Sequence, residues 1–170
     1  ALRRMNQELE RRVQERTREL AEKARIVEAF YSTAINPVVF LDREFNFIRV
    51  NEAYAKACAR DVSEFIGKNH FEMYPGELKA DFERVLRDQK PWQTLARPFV
   101  FPDHPDWGVT YWDLGLVPVL DDRGGVDFLV LSLNDVTARH QAEQARDRLQ
   151  EQLYQAQKME AIGQLAAGLG

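Results

Sequence analysis

The chain has 170 residues, with 23 Lys and Arg against 27 Asp and Glu and a net charge of −4; so mild an acidity argues against general nucleic-acid binding. That length suits one domain with appendages, and the single cysteine, Cys58, excludes an internal disulfide framework and fits a reducing compartment. No apolar run approaches the roughly 20 residues that span a bilayer, and no signal peptide is visible, so no membrane contact is expected within these residues.

Charge divides the chain into three segments. Residues 1–25 carry eight Arg and Lys and five Glu, residues 138–170 balance, and the middle carries −7. The first segment opens a predicted helix over residues 1–35. Asn6, Val13, Leu20 and Val27 share heptad position a, and Leu2 and Leu9 take position d. Arg16 and Lys23 also fall at d, so the seam is imperfect and the coiled coil weak. A basic region before heptads is one way to build a DNA-binding helix. Here, however, the Arg residues alternate with Glu, as on a solvated helix face. Val27, Phe30, Tyr31 and Ala34 then form an i, i+3, i+4, i+7 stripe expected to pack on the next domain. Asn36-Pro37 ends the helix, because a residue before proline avoids the helical region.

The middle segment reads as strands, short helices, then strands. Val38–Leu41 and Phe45–Val50 flank the polar turn Asp42-Arg43-Glu44, a hairpin pattern. Asn51 is an N-cap for a short helix whose apolar face is Ala53, Tyr54, Ala57 and Cys58. Val62–Gly67 suggests a further helical turn closed by glycine. Leu78, Phe82, Val85 and Leu86 mark an amphipathic helix stopped near Lys90-Pro91. Three strands are expected over Gln93–Phe101, Gly108–Leu120 and Val126–Asp135, with the turn Asp121–Gly125 between the last two. Short turns between consecutive strands imply an antiparallel sheet with the helices on one face. In the last strand Val126, Phe128 and Val130 point one way and Leu129, Leu131 and Leu133 the other. Both faces therefore need a cover, one from helices and the other from the Val27–Ala34 stripe or a second subunit.

Residues 138–170 read as a helix that seeks a partner. Leu149, Ala156 and Gly163 share one heptad position, Ala145, Met159 and Ala166 another, and Leu153 and Ile162 widen the seam.

These residues carry resemblances. Asn51-Glu52-Ala53, Phe65-Ile66-Gly67-Lys68 and Asp135-Val136-Thr137, in this order of elements, resemble the PAS domain family over about residues 26–137. Arg97–Pro102 with Gly108–Asp113 resembles a subgroup found in bacterial and archaeal sensor kinases. Glu8–Leu20 looks like the connector before sensor modules of membrane-tethered kinases. Lys158–Leu169 resembles the start of the dimerisation and phosphoacceptor helix of sensor histidine kinases, where a His-Asp/Glu pair would follow just past Gly170. The fold implied is α+β, a PAS fold with a five-stranded antiparallel sheet and short helices on one face, flanked by coiled-coil helices. The division implied is an N-terminal signalling helix over 1–25, a PAS sensory domain over 26–137, and a linker helix over 138–170 that enters the phosphoacceptor helix. A parallel homodimer, a response regulator as partner of the whole kinase, and a cytoplasmic location, with or without a membrane anchor upstream, follow from the same likeness. The alternative is a PAS interaction or dimerisation module with no small-molecule ligand.

The likeness also implies a ligand cavity between sheet and helices, with Phe40, Tyr54, Cys58, Phe65, His70, Phe82, Trp112 and Leu131 as candidate lining. Flavin-binding members carry a reactive cysteine in a Gly-Arg-Asn-Cys-like motif, and the matching run here is Gly67-Lys68-Asn69-His70. Haem-binding members place a histidine on the central helix, and residues 78–86 contain none. Neither cofactor is expected, which leaves an unidentified small metabolite. Cys58, on an apolar helix face, reads as buried and inert, and His70 as a packing or capping residue. Asp103, His104 and Asp106 alternate with Pro102 and Pro105, which favours a turn over a metal site. No catalytic set is present, and the chain itself is not expected to be an enzyme. Asp135, Val136 and Thr137 are the expected signal exit, with Thr137 as a helix N-cap.

Overall fold

A computed structural model describes residues 2–169. A long helix, α1 (Leu2–Thr33), leads into the hairpin β1 (Val38–Leu41) and β2 (Phe47–Val50). Three short helices follow: α2 (Glu52–Ala57), α3 (His70–Met73) and α4 (Lys79–Asp88). The strands β3 (Trp92–Phe99), β4 (Thr110–Leu120) and β5 (Val126–Asp135) come next, and α5 (Thr137–Gly168) closes the chain. The five strands form one sheet in the order β2-β1-β5-β4-β3, so the last strand pairs antiparallel with the first at the centre. This is the expected α+β architecture, with long helices at both ends.

By internal contacts the chain divides into two compact units, Ala1–Trp92 with Gly115–Leu133 and Gln93–Leu114 with Asn134–Gly170. The first unit holds most of the core. Val39, Leu41, Phe47, Phe65, Phe82, Val85, Leu116, Leu129 and Leu131 are almost fully buried there. In α4 the buried pair is Phe82 and Val85, three residues apart, and Gln89 ends the helix in the left-handed conformation at φ 53°. In the second unit Phe101, Trp112, Leu114 and Val136 are buried.

Three expectations change. Phe45 stands outside β2 with φ 67°, in a turn where Asp42 Oδ1 accepts from the amides of Glu44 and Asn46. The stripe at the end of α1 packs only in part. Tyr31 lies 5.1 Å from the Phe40 ring, but Val27 and Phe30 are 65% and 74% exposed. Phe30 stands about 100° round the helix from Tyr31 and faces away, whereas Val27 lies on the same side but one turn nearer the N-terminus, where it is exposed. Finally, α3 was not foreseen, since four residues are too few for any periodicity to show.

The two apolar faces of β5 do differ in their cover. Leu129 and Leu131 lie in the core. Phe128 is half-buried on the other face, stacked on Phe40 at 5.3 Å, with Tyr31 of α1 beyond.

Candidate functional site

The interior of the first unit is built around His70. Asn69 places it: its Oδ1 accepts from the Phe71 amide at 3.0 Å and caps α3, while its Nδ2 donates to the Glu44 carbonyl at 2.7 Å. The His70 amide donates to the Phe45 carbonyl at 2.9 Å. The imidazole is 7% exposed and meets Phe82 face to face at 5.6 Å, with Phe47 and Phe71 edge-on at 5.5 and 4.9 Å. Its Nδ1 has no hydrogen-bond partner. Burial among these rings lowers the His70 pKa to about 4, so the ring is neutral at pH 7.

Several candidate residues do come together here. Phe65 and Tyr54 lie 5.3 Å apart, and both contact Phe47, at 5.4 and 5.8 Å. Burial raises the Tyr54 hydroxyl well above its ordinary pKa, and the Cys58 thiol hydrogen-bonded to it adds to the shift. Cys58 itself is buried, as expected. Leu131 is buried in the core. Phe40 does not join this cluster. Its neighbours on β1, Val39 and Leu41, are buried, and alternation turns Phe40 to the opposite face, against Tyr31 and Phe128. Trp112 belongs to the second unit, where its Nε1 donates to Thr110 Oγ1 at 2.9 Å and its ring lies 6.1 Å from Phe101.

Asn51, expected only as a cap, does more. Its Oδ1 accepts from the amides of Tyr54 and Val38, each at 3.0 Å. Its Nδ2 donates to the carbonyls of Asn36 at 3.0 Å and Tyr31 at 3.4 Å. One buried amide thus joins the end of α1, the start of β1 and the first turn of α2. Beside it opens a groove of about 400 Å³, bordered by Glu28, Arg49, Val62 and Ile66.

The exit lies in the second unit. Asp135 Oδ1 accepts from the Thr137 amide at 2.9 Å, which ties the strand end to the first turn of α5. Thr137 is not the N-cap. That position falls to Val136, and the Thr137 Oγ1 instead accepts from the Tyr111 amide of β4 at 2.9 Å. The cause is competition: a strand amide lies within reach, and the hydroxyl takes it in place of a helix amide. The Val136 amide donates to the Tyr111 carbonyl at 2.9 Å, so Tyr111 holds the exit through both its amide and its carbonyl. The Tyr111 ring also meets the His140 ring at 3.9 Å. Two residues along β4, Asp113 Oδ2 pairs with Arg139 at 3.1 Å.

The segment Asp103–Asp106 forms a turn that runs into a single 3-10 turn, Pro105–Trp107, with His104 stacked on Trp107 at 4.1 Å. No group of three or more His, Cys, Asp or Glu among the described residues could hold a metal ion. No described helix is long and apolar enough to cross a membrane.

A five-stranded antiparallel sheet with short helices, entered by one long helix and left by another, places the chain in the α+β class. Residues 31–141 match the family described as the PAS fold, and the chain belongs to it. Among solved structures it is similar to the PAS domain of an HTR-like protein from Haloarcula marismortui (17% identity, TM-score 0.55, covering 72% of this chain and 98% of that one). A sensory box sensor histidine kinase from Vibrio cholerae is similar at 18% identity and TM-score 0.51, over 72% of this chain and 98% of that one. An RNA-binding light-oxygen-voltage receptor is similar at 17% identity and TM-score 0.64, over 79% of this chain. The chain spans 38% of that receptor.

Proposed function

We propose that the chain is the sensory and signal-relaying PAS module of a two-component sensor histidine kinase. A change in the domain reaches α5 through Asp135, Val136 and Thr137, and α5 carries it to a phosphoacceptor histidine further along the protein. The observation that carries this reading is the exit clasp. The same residue of β4, Tyr111, hydrogen-bonds Val136 through its carbonyl and Thr137 through its amide, so strand β4 and the root of a 32-residue helix are held together. The resemblance of Lys158–Leu169 to the phosphoacceptor helix supports the kinase as the output. The module acts as a parallel homodimer in the cytoplasm, with a response regulator as the partner of the whole kinase.

A second reading has its own support. The rings of Phe47, Tyr54, Phe65, His70 and Phe82 pack against one another, which favours an interaction or dimerisation module that works without a small-molecule ligand. Where a ligand does bind, it is a non-covalent metabolite, since the flavin cysteine and haem histidine are missing from the matching positions. The purified chain is therefore colourless.

The test is helical phase. Each inserted residue turns a helix by about 100°. Insertions of one to seven residues between Ala142 and Gln152 of the whole kinase should make autophosphorylation rise and fall with a period near the heptad. Activity indifferent to insertion length would sink the relay.

A further inference from the structure

Within the second unit, β3 contains one residue whose backbone does not fit a strand. Ala96 has φ 47°, the left-handed region that L-residues with a Cβ avoid. Such a conformation occurs where a strand is locally irregular, and it persists only where surrounding groups hold it. The group that holds it is a carboxylate of β4: the Ala96 amide donates to Asp113 Oδ1 at 2.8 Å. The other oxygen of that carboxylate, Oδ2, accepts from the Arg139 guanidinium in the first turn of α5 at 3.1 Å. Asp113 is half-buried, with its side chain 21% exposed, whereas Arg139 is 59% exposed. Both oxygens of one carboxylate are thus engaged, one by a strained strand residue and one by the helix.

We propose that Asp113 is a positioning residue that ties the left-handed kink of strand β3 to the first turn of α5. A disturbance at β3, which lies at the edge of the sheet, then reaches the helix root by a second route, separate from the peptide clasp at Tyr111. Two neighbours on one face of β4 share the work: Tyr111 holds Val136, Thr137 and His140, and Asp113 holds Arg139. The chemistry is directional. The Ala96 amide needs only an acceptor, but Arg139 needs a negative charge, so the charge of Asp113 serves the helix and its oxygen serves the strand. The meaning of the tie rests on α5 being the output helix; the tie itself does not.

Amide exchange of the whole 170-residue chain, followed by NMR at Ala96 and His140, tests it. The His140 amide donates to the Val136 carbonyl at 2.8 Å and reports on the first turn of α5. Asp113→Ala should speed exchange at both amides tenfold or more. Arg139→Ala is a surface substitution that touches neither Ala96 nor β3, and should still speed Ala96 exchange at least threefold. Arg139→Lys should restore most of that protection, and Asp113→Asn, which keeps an oxygen but not the charge, should behave like Arg139→Ala. If Ala96 exchange in Arg139→Ala stays within twofold of the unsubstituted chain, with circular dichroism showing the fold retained, the two oxygens act independently and the proposal falls. That failure would leave the relay standing on Tyr111 and Thr137. Autophosphorylation blind to insertion length would instead sink the relay and leave the Asp113 tie intact.

Discussion

Arg49 of β2 pairs with Glu28 of α1 through a single guanidinium nitrogen that lies 2.7 and 2.6 Å from the two carboxylate oxygens. The same guanidinium sits over the Tyr31 ring, 4.4 Å from its centre. Partial burial raises the Tyr31 hydroxyl to a pKa of about 12, with the Arg49 charge opposing the shift and Glu28 adding to it. The last turns of α1 are thus held by one cation against one ring and one carboxylate.

Arg49→Ala should loosen that end of α1 without unfolding the domain. Exposed ion pairs and exposed cation–π contacts each contribute about 1 kcal/mol or less, so the thermal midpoint should fall only slightly. Hydrogen exchange over residues 28–33 should rise clearly. Arg49→Lys should recover only part of the protection, because an ammonium cannot lie flat on the ring. A midpoint drop as large as that of a core truncation would show that Arg49 does more than hold the helix.

His70 should make stability depend on pH. Its folded pKa of about 4 lies below the ordinary value of 6.5, so the unfolded chain takes up the proton first. Stability is then whole above pH 6.5, falls as pH drops toward 4, and does not change further on this account below that. Linkage puts the full effect at about 3 kcal/mol. Carboxylates titrate in the same range, so the measure is a difference: urea unfolding of His70→Phe should lose less stability between pH 7 and pH 4.5 than the unsubstituted chain. Equal losses would show that the imidazole does not carry the pH dependence.

Thr137→Val keeps the shape of the side chain but removes the oxygen that accepts from Tyr111. The loss should be about 1 kcal/mol or somewhat more, because the Tyr111 amide keeps its desolvation without a partner. Thr137→Ser should be nearly neutral. On the kinase reading proposed above, Thr137→Val and Asp135→Ala in the whole protein should both blunt the response to signal and leave basal autophosphorylation in place. An unchanged response in both would reduce this corner to a strand end and a helix start.

Self-association is the fourth expectation. Leu2, Leu9, Val13, Leu20, Val27 and Phe30 lie exposed along α1, and Leu149, Leu153, Met159 and Ile162 along α5. Apolar seams of this spacing bury themselves against a second helix. Light scattering at tens of micromolar should report a dimer, as modest interfaces persist at such concentrations. Val13→Glu with Leu20→Glu should weaken it. A monomer throughout that range would remove the homodimer.

The parts of the fold legible in the sequence are those where one physical signal dominated. Phe82 and Val85 fell on one helical face, the strands alternated or ran apolar, and Gly67 and Lys90-Pro91 stood where chain direction had to change. The parts that were not legible depend on partners distant in sequence. Asn51 reads as an N-cap because its local bond to Tyr54 is visible, whereas its bonds to Tyr31, Asn36 and Val38 require the helix end to be folded back. Thr137 looked like a cap because only the helix ahead of it was visible and not the strand beside it. Ala96 gave no sign at all, since alanine carries no preference for a left-handed backbone. Among the candidate cavity residues, Tyr54, Phe65, His70 and Phe82 were found as a cluster, and Phe40 was misplaced because a central strand with both faces apolar conceals which side is the interior.

The length of α5 has a mechanical consequence. Thirty-two helical residues make a rod of about 48 Å at about 1.5 Å per residue. Tilting such a rod by about 5° at Thr137 carries its far end sideways by about 4 Å, close to the width of one side chain. A hydrogen bond at the root need stretch by only a fraction of an ångström to produce that swing. The helix is therefore a lever with a short inner arm, fixed at Tyr111 and Asp113, and a long outer one. On the relay proposed above, gain of this kind makes the fulcrum residues the place where the sensitivity of the module is set.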